Sequence, residues 1–120
     1  MSDSHRLTES VGRGNPDVLG VMVVDGDGTV HASETTSPEM LRAAVAITVP
    51  LRDLLDRAAA ELGCGELAST LVEGREASFA VADVDGFRSV VVIGTREASL
   101  GSLRSDSLWL AARLREGATA

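Results

Sequence analysis

Aromatic side chains are scarce in this 120-residue sequence: they make up 2% of its residues, and tyrosine is missing altogether. Proteins that hold single-stranded nucleic acid stack its bases on aromatic rings and neutralise its phosphates with positive charge. This chain instead carries a net charge of −7, which repels phosphate backbones and anionic lipid surfaces. The composition therefore argues against nucleic-acid binding and against a role at a membrane surface.

Cysteine and long apolar runs are also lacking. The single cysteine, Cys64, excludes an intrachain disulfide, and without a histidine nearby it is interpreted as a small buried residue rather than a reactive thiol. No apolar run approaches the ~18 residues of a membrane span, and the polar N-terminus lacks the apolar centre of a signal peptide. We therefore expect a cytoplasmic protein with no membrane insertion.

Motifs for catalysis and for metal binding are missing as well. The run from Asp25 to Thr29, DGDGT, begins like a calcium loop, but Thr36 stands where the bidentate glutamate belongs, so a tight turn is favoured. His31 and His5 have no cluster of carboxylates or cysteines around them, and no nucleophile elbow or Walker loop is present. We predict no catalytic residue, no cofactor and no metal, and a protein that is not an enzyme.

What the sequence does contain is a long helical pattern from Pro38 to Gly65, with Ser37 as a natural N-cap. At about 100° per residue, one apolar stripe forms, which is predicted to cover a sheet. That stripe consists of Met40, Ala44, Ile47, Leu51, Leu54, Leu55, Ala58 and Leu62. Pro50 interrupts the pattern without changing its phase, so a single kinked helix is expected.

Five strands and a closing helix surround this pattern. The strands are predicted over residues 19–24, 29–33, 70–72, 77–82 and 89–93, and the helix over residues 100–115. Because the first and last strands are apolar on both faces, they should be neighbours at the centre of the sheet. The predicted fold is an α+β, α/β-sandwich arrangement: a five-stranded antiparallel sheet of order 2-1-5-4-3. The long helix covers one face, and the C-terminal helix with a short N-terminal helix covers the other.

Two segments are distinguished along the chain. Residues 1–16 are expected to form a short helix or to be partly disordered, and residues 17–116 to form one folded domain. The short strand over residues 70–72 would be an exposed edge, and exposed edges favour pairing with another chain.

A second apolar line on the long helix, opposite its sheet-covering stripe, would need a cover from outside the chain. Pairing two copies would supply it, as an isologous homodimer in which each such side chain contributes on the order of 1.5–3 kcal/mol. The predicted dimer interface consists of Leu41, Val45, Val49, Thr70, Leu71 and Val72.

Trp109 is the most distinctive single side chain, since it lies about 140° from the apolar stripe of the closing helix. Two interpretations stay open. The indole packs against the N-terminal segment with Arg113 stacked on it, or it is a hot spot for a partner. The candidate contacts for a partner are Trp109 and, on the charged side of the long helix, Arg52 and Asp56.

Several segments, in this order and spacing, resemble the Roadblock/dynein light chain family. They are VLGVMVVDGDGTVHAS, DRAAAELGCGEL, TLVEG, VDGFRSVVVIG and ASLGSLR, and the resemblance runs from Val18 to Leu114. It implies a profilin-like fold, a homodimer joined through the third strand and the long helix, and a regulatory or scaffolding role. Bacterial members of the MglB type act on small Ras-like GTPases. The weak first helix, Pro50 and Trp109 depart from the family pattern.

The function predicted from this resemblance is that of a homodimeric, non-enzymatic regulator or adaptor. It would bind a small Ras-like GTPase through paired long helices, with modulation of GTP hydrolysis as a further expectation. Two alternatives stay open: a scaffold subunit without a GTPase partner, and a small-molecule sensor domain. A sensor would need a pocket with convergent polar groups.

Overall fold

One antiparallel sheet with helices on both faces forms the body of the protein. The computed structural model describes residues 3–119, with side chains to residue 117. In chain order the elements are α1 (Asp3–Gly14), β1 (Val18–Asp25), β2 (Val30–Glu34), α2 (Pro38–Glu61), β3 (Ser69–Glu73), β4 (Ala77–Asp83), β5 (Arg88–Thr95) and α3 (Leu100–Thr119). Every predicted strand is present, with ends that differ by one or two residues. Residues 1 and 2 of the predicted N-terminal segment lie outside the described residues.

The sheet has the order β2-β1-β5-β4-β3, which confirms the predicted topology and fold class. At its centre β1 and β5 run antiparallel, with Met22 opposite Val91 and Val23 opposite Val90. Successive residues of these strands are buried on opposite faces, which explains why both read as continuous apolar runs.

One tight turn joins β1 to β2, and another joins β4 to β5. Gly28 in the β1–β2 turn has φ +83°, and Gly86 in the β4–β5 turn has φ +87°. A side chain at either position would be strained, because this left-handed region is accessible mainly to glycine. The DGDGT segment is therefore a turn, as predicted.

Two apolar layers fill the space on either side of the sheet. The layer under α1 and α3 contains the alternating strand residues of one face and the inner residues of α3: Val21, Val23, Ala80, Ala82, Val90, Val92, Leu103, Leu110, Ala111 and Leu114. The thinner layer under α2 is built from Met22, Val24, Ala44, Val81 and Val91. The predicted stripe of α3 thus faces the core, whereas α2 buries far less.

The first helix is longer and better packed than its sequence pattern indicates. It spans 12 residues and buries Thr8 and Val11 beside α3. The Thr8 hydroxyl donates a hydrogen bond to the Ser4 carbonyl at 2.6 Å, so the buried polar atom is satisfied inside the helix. The N-terminal helix is therefore packed into the same core layer as α3 and the sheet.

The second helix continues through Pro50 as one 24-residue element. At its start, the Ser37 hydroxyl accepts a hydrogen bond from the Met40 amide at 3.1 Å, which confirms the N-cap. Beyond its end, Gly63 adopts φ +73°, as a helix stop of this kind requires. Cys64 follows and is exposed, so its interpretation as a buried residue was wrong.

The predicted orientation of α2 was only partly right: Met40 and Ala44 of the predicted stripe do pack on the sheet, but other members do not. Leu41 and Val45, expected to face away from the sheet, pack against the core layer beneath the helix. Ile47 and Leu54, expected to cover the sheet, are 52% and 56% exposed. Apolar residues alone therefore do not mark the inner side of this helix, because polar Thr48 is buried there.

Candidate protein-interaction surface

An apolar strip runs along the side of α2 that points away from the sheet. We call it the α2 outer face; its members are Ala43, Ala46, Ile47, Pro50 and Leu54, and all of them are exposed. At the helical period these residues fall within about 100° of arc, roughly opposite the sheet-facing residues. Exposed apolar strips of this kind are typical of protein-interaction surfaces.

The edge strand β3 lies at one side of the same sheet. It pairs with β4 alone, with Thr70 opposite Val81 and Val72 opposite Phe79. Because Val81 and Phe79 belong to the layer on the α2 side, Thr70 and Val72 lie on that side as well. Leu71 and Val72 are exposed, so β3 presents both apolar side chains and an unpaired backbone edge within the described residues.

The six residues predicted for a dimer interface therefore fall into two groups. Thr70, Leu71 and Val72 are on the open edge. Leu41, Val45 and Val49 are partly buried within one chain, and Val49 lines a small cavity of 170 Å³. The α2 outer face is the exposed apolar part of this helix that the sequence pattern missed, although the i, i+4, i+7, i+11 spacing of Ala43, Ile47, Pro50 and Leu54 could have revealed it.

Arg52 is an internal tether. Its guanidinium donates to the Arg88 carbonyl at 3.1 Å, to the Ser89 hydroxyl at 2.9 Å and to the carboxylate of Asp83. Its side chain is only 13% exposed. Asp56, one turn along the helix, lies 3.6 Å from Arg52 Nε and is exposed. Of these two candidate partner contacts, Asp56 is accessible and Arg52 is already occupied.

A groove of 1150 Å³ opens between the end of α2, the following loop and the β4–β5 turn. Arg115 lines it and donates to the Val84 carbonyl at 2.5 Å and to the Asp83 carbonyl at 3.1 Å. With Arg52 also bonded to this turn, both guanidiniums that face the groove are engaged by the protein itself. Neither guanidinium is therefore free to bind an anionic small ligand.

The β1–β2 turn is closed by its own side chains. One carboxylate oxygen of Asp25 accepts from the amides of Asp27 and Thr29 at 2.9 and 3.1 Å, and the other lies 2.8 Å from His31 Nε2. The bond with His31 holds the pKa of Asp25 below its ordinary value. Both oxygens are thus occupied, and among the described residues no group of His, Cys, Asp or Glu side chains has the arrangement of a metal site.

Trp109 lies on the opposite face of the sheet from α2. The residue is 47% exposed, and the Arg113 guanidinium lies 5.9 Å from the centre of the Trp109 ring. The predicted stacking of Arg113 on Trp109 is confirmed. The indole also borders a cleft between α1 and α3.

Comparison with known proteins identifies the family. The Roadblock/LC7 domain profile matches residues 10–93, and the chain belongs to this family. It is a family of regulatory adaptors, as the resemblance implied. Among curated protein sequences, none is significantly similar to the chain.

Solved structures share the fold at low sequence identity. A Roadblock/LC7 domain from Streptomyces avermitilis superposes with a TM-score of 0.86 at 20% identity, covering 99% of this chain and 100% of that one. MglB from Myxococcus xanthus gives a TM-score of 0.88 at 18% identity, with 99% and 97% covered. Profilin II from Acanthamoeba castellanii gives 0.64 at 13% identity, with 97% and 99% covered, which confirms the profilin-like architecture. Within the described residues, no helix has the length and apolar character needed to cross a membrane.

Proposed function

We propose that this chain is a homodimeric, non-enzymatic adaptor that binds a small Ras-like GTPase on the surface formed by two α2 helices. The observation that carries the proposal is the α2 outer face, a strip of exposed apolar residues next to an open sheet edge. Family membership supports the regulatory role, and the resemblance to MglB-type members supports the choice of a small GTPase as partner.

The proposed dimer joins the β3 edges of two copies and brings their α2 helices together. Such a contact is isologous, so each apolar residue of the interface is buried once in each of the two copies. Ile47 and Leu54 are each about half exposed, so covering them contributes about 1 kcal/mol per side chain, or roughly 4 kcal/mol for the four in a dimer. Thr70, Leu71 and Val72 add backbone pairing along the edge. Leu41, Val45 and Val49 contribute less than predicted, because they already pack within one chain or are half-buried.

The first test is the solution mass of the 12.5 kDa chain, measured by light scattering across a range of concentrations. The wild type is expected at twice the chain mass. Ile47→Glu with Leu54→Glu should give a folded monomer, because dimerisation would bury four carboxylates without partners. The matched control places the same two charges at exposed Thr36 and Ser105, outside the proposed interface, and should stay dimeric. A wild-type monomer at high concentration would contradict the dimer.

The second test concerns the GTPase. Small Ras-like GTPases from the same organism, loaded with GDP or with a non-hydrolysable GTP analogue, are titrated against the wild type and the monomeric variant. The dimer is expected to bind and the monomer to lose binding. Asp56→Ala should lower the affinity without changing the mass, since this carboxylate is exposed. GTP hydrolysis, measured in the same mixtures, separates stimulation from tethering.

Two other outcomes are informative. A dimer that binds none of these GTPases would favour the scaffold subunit. A copurifying small molecule would favour the sensor domain, although the groove near Arg52 and Arg115 presents guanidiniums that are bonded within the chain.

A further inference from the structure

The cleft between α1 and α3 lies on the face of the sheet opposite the α2 outer face. Its volume is 310 Å³, and its polar lining includes Ser10, Asn15, Ser102 and Asp106, with Trp109 at one end. Ser102, Asp106 and Trp109 recur at i, i+4 and i+7 of α3, so they form one line along that helix. This cleft takes no part in the proposed dimer or GTPase contact.

Asp106 is the unusual residue in this cleft. Its carboxylate makes no hydrogen bond or ion pair with any described residue, and partial burial raises the pKa of this carboxyl above its ordinary value. Two other carboxylates that are removed from water each have a partner: Asp25 is bonded to His31, and Asp83 to Arg52. A carboxylate that loses water without gaining a partner destabilises the folded chain.

The residues that line the cleft include no arginine, lysine or histidine. On α1, Arg13 pairs with Glu9 at 2.7 Å and lies 3.6 Å from Glu34. On α3, Arg113 stacks on Trp109 and lies 3.5 Å from Glu116. No described cation is thus paired with the Asp106 carboxylate.

The exposure of Trp109 also indicates that a partner could occupy this cleft. The neighbouring apolar residues of α3, Leu103 and Leu110, are completely buried, whereas Trp109, which lines the cleft, is 47% exposed. An aromatic face attracts cations, and exposed tryptophans are enriched where partners bind.

We propose that the α1–α3 cleft binds a cationic side chain, arginine or lysine, from a segment of a partner polypeptide. The cation would pair with the Asp106 carboxylate and lie beside the Trp109 indole, while the hydroxyls of Ser10 and Ser102 accept its remaining hydrogen bonds. Charge complementarity decides the occupant, because an apolar side chain would bury Asp106 unpaired and an anion would be repelled. The cleft and the α2 outer face lie on opposite faces of the sheet, so both surfaces can be occupied together.

Trp109 makes the cleft directly observable. It is the only tryptophan and the chain has no tyrosine, so fluorescence excited at the indole band reports on this cleft alone. The probes are two blocked peptides, acetyl-Gly-Arg-Gly-amide and the same peptide with neutral citrulline in place of arginine. The arginine peptide should give a saturable change, and the citrulline peptide should bind about tenfold more weakly, as the loss of a charge-assisted bond predicts.

Two variants identify the carboxylate. Asp106→Asn should weaken the arginine peptide about tenfold and remove its preference over citrulline. Asp53→Asn makes the same charge change at an exposed carboxylate on the other face of the sheet, and it should bind like the wild type. Circular dichroism checks that both are folded. If Asp106→Asn were unfolded, Trp109→Phe, followed by the amide shifts of Asn15 and Ser102, would test the same cleft.

Three results would overturn the proposal. Equal binding of the arginine and citrulline peptides would show that charge is not recognised. Equal losses in Asp106→Asn and Asp53→Asn would assign the effect to the overall charge of −7 rather than to the cleft. The absence of any saturable change would show that the cleft binds no such side chain. None of these outcomes bears on dimerisation or on GTPase binding.

Discussion

Replacing Arg52 with methionine should destabilise the protein more than any other change to an exposed or half-buried charge on α2. The guanidinium joins the middle of α2 to the end of β4 through Asp83 and to the start of β5 through the Arg88 carbonyl and the Ser89 hydroxyl. Methionine keeps much of the aliphatic stem but removes all of these donors. Hydrogen bonds to charged groups contribute about 1.5–3 kcal/mol each.

The expected total is smaller than the sum of these bonds. Asp83 keeps a hydrogen bond from the Gly86 amide at 2.9 Å, and its side chain retains some contact with water. We therefore expect a loss of about 3 kcal/mol in the free energy of unfolding, a large share of the 5–15 kcal/mol typical of a domain.

Urea unfolding followed by Trp109 fluorescence measures this loss, at one fixed protein concentration because self-association would also shift the midpoint. Arg42→Met, at an exposed α2 arginine, is the matched control and should change stability by less than about 0.5 kcal/mol. A double-mutant cycle with Asp83→Asn should give a coupling energy above about 1 kcal/mol. A loss below 1 kcal/mol with no coupling would refute the view that Arg52 is a structural tether.

Three further predictions concern local structure. Ser37→Ala should lower stability by about 1 kcal/mol through loss of the α2 N-cap, whereas Ser37→Asp should preserve it, as thermal unfolding would show. Gly94→Ala should cost about 1–3 kcal/mol, because its new methyl carbon would lie 2.8 Å from a Leu103 side-chain carbon; unchanged urea unfolding would contradict that packing. Asp25→Asn removes a carboxylate whose pKa is lowered by the hydrogen bond with His31. The stabilisation that this carboxylate gives the folded chain is present above the unfolded pKa of about 3.9, and it is lost as the pH falls through the lower folded pKa. Wild type and Asp25→Asn should therefore differ in stability at pH 6 and approach each other progressively as the pH falls below about 4, and a constant difference would disprove this linkage.

The two proposed surfaces together would let this small fold bind more than one partner. The α2 outer face and the β3 edge lie on one side and one margin of the sheet, and the α1–α3 cleft lies on the other side. An adaptor that dimerises through the first surface would present two copies of the cleft, each able to take one cationic side chain. Such symmetry would raise the apparent affinity for a partner with two basic segments.

The candidate surface was only partly predictable. Thr70, Leu71 and Val72 were assigned to an open edge from sequence, because strand order follows from which strands are apolar on both faces. The side of α2 that faces the sheet was not predicted correctly, because a pattern of apolar residues leaves out Thr48. The hydroxyl of this residue donates a hydrogen bond to the Ala44 carbonyl at 2.5 Å, so it can be buried inside the fold.

The sequence by itself determined the elements, because periodicity, capping residues and Asp-Gly turns act over a few neighbouring positions. The order of the strands followed from which of them are apolar on both faces, and the family from the resemblance of several segments to its members. The tertiary structure alone decided how α2 is rotated, which groups hold Arg52 and why the Asp106 carboxylate has no partner among the described residues. Arg52 is bonded to residues 31 to 37 positions away, and Asp106 faces a helix almost a hundred residues earlier in the chain. Side-chain partnerships of that range arise from the packing of whole elements, and no local pattern encodes them.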